Sequence, residues 1–290
     1  MIWTLYKIEF FKMVKRLAFW ITIISFATLL IFSYGAFFYN GRKYGGGYSD
    51  FSFPNAWSMV LADGAEMVCV FAAVLTALLI ASEFDWRTSR QNIIDGLSRG
   101  QWFSAKLLLL PTIASLFYGS RLIIAGSLAW LGTRANIEHA YQLLNVQFLG
   151  LPGYIITPPL TENAYHISSV QLLAIAGVML AALIACSLGL LVSLITRSAG
   201  PALGITVIYM FFENLAVPTL RGLELNNIAD VFPFQVVDAL CKYNQYLPAG
   251  SLARNKLEII WDTHLLFTAG IGWIIVFALL SWLVYWKRDL

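Results

Sequence analysis

The sequence predicts an all-α membrane protein with six transmembrane helices, and three observations carry the prediction. Six apolar runs are long enough to cross roughly 30 Å of hydrocarbon. Apolar residues make up 59% of the chain and charged residues only 12%, well under the charged share of a soluble domain, and the mean hydropathy is +0.72. Lysines and arginines sit beside the apolar runs instead of forming one exposed block. By length the 290 residues have room for two soluble domains, yet no polar stretch separates the runs, so 1–290 reads as a single transmembrane domain. A formal charge of only +3 without a basic block argues against a nucleic-acid partner and leaves membrane lipids as the surroundings.

At the amino terminus, within residues 1–17, Trp3, Tyr6, Phe10, Met13 and Leu17 recur at helical spacing, with Thr4, Lys7, Lys12, Lys15 and Arg16 opposite them. That pattern predicts an amphipathic interfacial helix, serving either as a basic anchor or as a grip for a cytoplasmic partner. The spans are expected at about residues 18–39, 59–82, 107–131, 170–196, 201–218 and 264–286. The fifth looks shortest, with Pro201 and Pro218 at its bounds. The first is too long for the apolar region of a signal peptide and lacks a small-residue cleavage site, so it is expected to be retained.

Basic residues set the predicted orientation. Lys7, Lys12, Lys15 and Arg16 precede span one; Arg87, Arg90, Arg99 and Lys106 lie between spans two and three; Arg197 lies between four and five; Lys287 and Arg288 follow six. These segments share a side, and the longer loops opposite are sparser in basic residues. Both termini are therefore predicted cytoplasmic, in a multi-pass protein of the cell membrane.

The loop at 83–105 is too apolar for a plain connection. Trp86, Ile93, Ile94 and Leu97 give a short apolar face, with Arg87, Arg90, Gln91 and Asp95 beside it. Gly96 is expected to stop this helix, and Ser98 with Gln101 fits a capping box that opens the helix of span three. Such a helix either docks on a partner or beds in the lipid headgroups. In the outer loop, 219–263, the run 231–240 is too apolar for a freely solvated connection and is expected to fold back against the membrane; the alternative is a partly ordered extracellular loop.

Arg121 in span three and Glu213 in span five are ionisable groups placed in hydrocarbon, which marks them either as a structural ion pair or as pathway or gate residues. Span four carries Gly177, Ala181, Ala185, Gly189 and Ser193 at steps of four, a small-residue stripe for close approach of a neighbouring span or of a second protomer. Cys69, Cys186 and Cys241 are scattered singly, without the close Cys/His spacing of a zinc site, and read as packing residues.

Catalysis finds little footing. No G-x-x-x-x-G-K-[ST] run occurs, so a nucleotide cofactor is not expected on this chain. Gly96-Leu-Ser-Arg-Gly satisfies G-x-S-x-G, but that elbow needs a preceding buried strand, and His139, His166 and His264 fall on the side opposite Ser98. Glu138 and His139 are neighbours in an outer segment, a weak signal for an enzyme on that face.

This layout resembles the permease subunit of ABC-2 type transporters. The resemblance covers nearly the whole chain and rests on the amphipathic amino terminus, on Glu83 closing span two, on residues 87–106 with Gly96-Leu-Ser-Arg, and on spans four to six. It implies an exporter subunit whose coupling helix, at about residues 85–97, docks a separate ATPase subunit through Trp86, Arg87, Arg90, Gln91, Ile93, Ile94 and Leu97. ATP and Mg would belong to that partner, and a second permease, a copy or a paralogue, would complete the membrane part. At Trp86-Arg87-Thr88-Ser89 the chain departs from relatives that often carry a glycine-containing turn there. The rival is an ion-coupled secondary transporter or channel using Arg121 and Glu213, although no inverted repeat is apparent.

Overall fold

Each of the six apolar runs forms a helix, because backbone polar groups in hydrocarbon find no water and must pair within their own segment. The computed structural model describes residues 2–43, 56–61, 64–86, 94, 96–148, 169–241 and 263–287. In chain order the helices are α1 (Ile2–Lys15), α2 (Leu17–Lys43), α3 (Ala56–Leu61), α4 (Ala65–Asp85), α5 (Arg99–Phe148), α6 (Ser169–Thr196), α7 (Ala199–Gly222), α8 (Asn226–Val231), α9 (Pro233–Cys241) and α10 (Thr263–Lys287). No strand occurs among the described residues. Six of these helices, α2, α4, α5, α6, α7 and α10, are long and apolar enough to cross a membrane.

Local chemistry explains the boundaries. Span two begins at Ala65 and not near residue 59, because Gly64 adopts a left-handed φ of 75° and separates α4 from the short α3. Span five runs through both prolines. Pro201 lies in the first turn of α7, where N–H groups lack intrahelical acceptors, and the helix continues past Pro218 to Gly222. At 24 residues it exceeds the 20 of Leu17–Ala36 and the 21 of Ala65–Asp85, so it is not the shortest. The capping box forms as expected: Ser98 N donates to Gln101 Oε1 at 3.1 Å, and Gln101 N donates to Ser98 Oγ at 3.2 Å. Just before it, Gly96 turns the chain at a φ of 98°. From this start α5 extends for 50 residues, about 75 Å at 1.5 Å per residue, well beyond one bilayer core.

Of the six, α6 is the most enclosed and α10 the least. The stripe on α6 explains its central place. A Cβ at Gly189 would lie 2.6 Å from the Ala73 carbonyl oxygen, so the α6 and α4 backbones touch there. Ala181 and Ala185 are fully buried, and Ser193 Oγ reaches the Ala77 carbonyl of α4 at 3.2 Å. One end of the stripe has another partner: at Gly177 a Cβ would lie 3.0 Å from the Leu240 carbonyl oxygen of α9. The segment 219–241 thus folds back as α8 and α9, and α9 buries Val236, Val237, Leu240 and Cys241 against the bundle. Residues 242–262 of that loop lie outside the described residues.

The amino-terminal helix corrects the expected amphipathic face. Trp3 and Leu17 are 64% and 73% exposed, whereas Met13 and the acidic Glu9 are buried. The inward face of α1 is centred on Tyr6, Glu9 and Met13, one helical turn apart, because Lys106 of span three offers a cation there.

Candidate functional site

At one end of the bundle, α1, α4 and α5 close around a buried charge cluster. Lys106, two turns into α5, is 2% exposed; its Nζ donates to Glu9 Oε2 and, at 2.5 Å, to Glu83 Oε1. Glu83, in the last turn of α4, also faces Arg16 Nη2 at 3.4 Å. The other Arg16 nitrogen, Nη1, donates to the Leu79 carbonyl at 2.6 Å and to Ser82 Oγ at 2.7 Å. Lys12 meets Glu9 at 2.9 Å, and the Tyr6 and Thr112 hydroxyls lie 2.7 Å apart, pinning α1 to span three. Such charges cost several kcal/mol each to desolvate unless every one is paired, and here attraction and hydrogen bonds are supplied together.

Burial pushes the Glu9 carboxyl up, but the charge and hydrogen bond of Lys106, aided by Lys12, outweigh it and hold the group below its ordinary value of 4.5. The stabilisation that Glu9 gives is therefore complete above 4.5 and is lost as pH falls through the lower folded value. Comparing unfolding midpoints of the wild type and Glu9→Gln checks this. The gap between them is expected to be constant at neutral pH and to narrow only below 4.5; a gap that narrows between pH 6 and 8 contradicts the arrangement.

Above this cluster lies an exposed rim. The Arg16 guanidinium stands 5.2 Å from the Trp86 ring centroid, and Trp86 is itself 65% exposed. Ile94 is 68% exposed, while Leu97 packs against the core. Arg87, Arg90, Gln91 and Ile93 lie outside the described residues. Neighbouring connections are tied to the same rim. Asp85 Oδ2 accepts the Ala199 N–H at 2.9 Å and so caps α7; Arg197, at a φ of 52°, places its guanidinium 5.6 Å from the Phe84 ring; Arg99 Nη1 donates to the Trp286 carbonyl of α10.

The two ionisable groups of the spans are held at the opposite end by different elements. Fully buried Arg121 donates from Nη1 to the Val60 carbonyl of α3 at 2.6 Å. Glu213 Oε2 accepts the Phe234 N–H at 2.7 Å, so a carboxylate of span five caps α9 at its amino end. Trp273 of α10 donates to the Val231 carbonyl at 2.9 Å and holds the junction of α8 and α9. Among the ion pairs of the described residues none joins Arg121 to Glu213.

Sequence reasoning missed the charge cluster. In the sequence Arg16 and Lys106 count as markers of topology and Glu83 as the close of a span, and apolar periodicity passes over Glu9. One signal was available: Glu9 stands on the helical face of Tyr6 and Met13, and an acid there demands a cation opposite.

No curated protein matches the chain. Residues 19–290 match the family described as protein of unknown function (DUF2705), which makes the chain a member of that family.

Proposed function

We propose that the chain is the membrane subunit of an ABC-2 type exporter, driven by ATP hydrolysis on a separate ATPase subunit. The carrying observation is the rim at the Trp86 end. A large aromatic, Trp86, stands exposed beside the Arg16 corner of a charge cluster that braces α1, α4 and α5, and Ile94, a few residues on, is exposed as well. Exposed apolar groups on a rigid backing suit a surface that buries against a protein and passes force to the helices behind it. The rim is read as the docking site, with Arg87, Arg90, Gln91 and Ile93 completing it beside Trp86, Ile94 and Leu97. On this reading both termini and the rim face the cytoplasm of a cell-membrane protein, in keeping with the basic residues gathered there. A second membrane subunit, identical or paralogous, completes the complex. This chain itself does no chemistry, and ATP and Mg sit on the partner.

Ion coupling through Arg121 and Glu213 is the weaker reading, since each group already anchors a short outer helix. Those anchors suit a gate on the exit side, with α9 resting on span five through Glu213.

Co-expression with the neighbouring genes and purification by a tag on this chain tests the proposal. An ATPase subunit is expected to copurify, and Trp86→Ala to weaken its retention by about 30-fold, the scale of a buried aromatic anchor. Transport of an ion or solute in liposomes by the chain alone, with no ATPase bound, would overturn the reading.

A further inference from the structure

Two of the three cysteines, far apart in the chain, meet in the fold. Cys69 stands in the first turns of α4, and Cys241 is the last residue of α9. Their sulfurs are 3.8 Å apart across 172 residues of chain, and the two side chains are 1% and 2% exposed. Both belong to the end of the bundle that carries Glu213, Trp273 and the outer helices. A gap of 3.8 Å exceeds a sulfur–sulfur bond by less than two ångströms, a distance that side-chain rotation and a small shift of so short a helix can close.

We propose that Cys69 and Cys241 are a disulfide-forming pair that ties α9 to span two. The oxidant class is a disulfide, either a small molecule or an oxidoreductase on the non-cytoplasmic side. The Cys69 sulfur attacks the oxidant's S–S bond; a mixed disulfide forms and one oxidant thiol leaves, carrying the proton that Cys69 gives up. Cys241 then loses its proton, attacks the Cys69 sulfur and expels the second oxidant thiol. Two cysteine thiols are thereby oxidised by two electrons, and one disulfide is reduced to two thiols. With both sulfurs buried in the packed fold, the exchange takes place before α9 docks or during its local opening, and the finished bond is then shielded from reductants.

The consequence falls on α9. Its amino end is already capped by Glu213, and Leu240 rests on Gly177 of α6. A bond at Cys241 fastens the carboxyl end as well, so that the helix over the outer end of the bundle is held at both ends. Formation of the bond in the cell rests on the orientation proposed above, because only the non-cytoplasmic side is oxidising.

The full chain, isolated from membranes under acid quench, is denatured and alkylated with iodoacetamide before and after reduction, and the peptides are mapped by mass. One alkylated cysteine without reductant and all three after it, with Cys69 and Cys241 as the blocked pair, is the expected result. Cys186→Ser should leave the pair blocked, and Cys69→Ser should abolish it. The reduced, purified protein is also exposed to oxidised glutathione in detergent. Should cells yield three free thiols while glutathione drives the Cys69–Cys241 bond, the pairing stands and the proposed orientation falls. If glutathione yields no bond, or one that includes Cys186, the pairing is wrong.

Discussion

Replacing Lys106 with methionine is expected to destabilise the protein by about 3–5 kcal/mol, the cost of leaving a buried partner charge uncompensated. Methionine roughly keeps the length and packing of the side chain but withdraws the cation from Glu9 and Glu83 at once, and both carboxylates are buried. The unfolding midpoint in mild detergent measures the loss, and protease sensitivity of α1 reports whether that helix detaches first. Glu9→Gln on the same background separates charge from shape: the double variant should recover part of the loss, with a coupling of about 0.5–3 kcal/mol. Strict additivity, or a Lys106→Met protein within about 1 kcal/mol of wild type, would show that the cluster does not brace the helices.

Gly189→Leu is the second large effect. Even a Cβ would stand 2.6 Å from a backbone oxygen of Ala73, and backbone cannot swing aside as a flexible side chain does. Overpacking typically costs about 1–3 kcal/mol per inserted group, and a leucine here must push two whole spans apart, so failure to reach the membrane as a folded monomer is the expected extreme. Gly119→Leu serves as the control. No heavy atom lies within 4 Å of its Cβ position, and replacing a helical glycine there should be neutral or stabilising by up to about 1 kcal/mol. Equal damage from both substitutions, measured as folded yield on size exclusion, would mean that the contact between α4 and α6 is not what the Gly189 position serves.

Much of the fold was legible because its causes are local. Hydrophobic run length foretold every span, and the pairing of Ser98 with Gln101 was readable three residues apart as a helix start. Where local signals stopped, expectation failed. Pro218 looked like the end of span five, yet α7 continues through it, since a membrane helix can absorb a proline when its surroundings satisfy the freed groups. For α1, periodicity put Trp3 and Leu17 with Met13, whereas the observed inward face includes an acid that no apolar pattern counts.

The sequence by itself determined the solvent this protein lives in, the six helices, the break and restart at Gly96 and Ser98, and the small-residue stripe along span four. Each follows from transfer free energy or from groups within one turn of each other. Only the tertiary structure decided which charges are partners and which are bystanders. Glu9 lies 97 residues from Lys106, Arg16 lies 67 from Glu83, and Glu213 lies 21 from the N–H it caps. A buried charge is tolerated only where an opposite charge or an unpaired backbone group arrives through space, and that arrival depends on how helices pack. The meeting of Cys69 with Cys241 was decided in the same way, by α9 folding back onto span two.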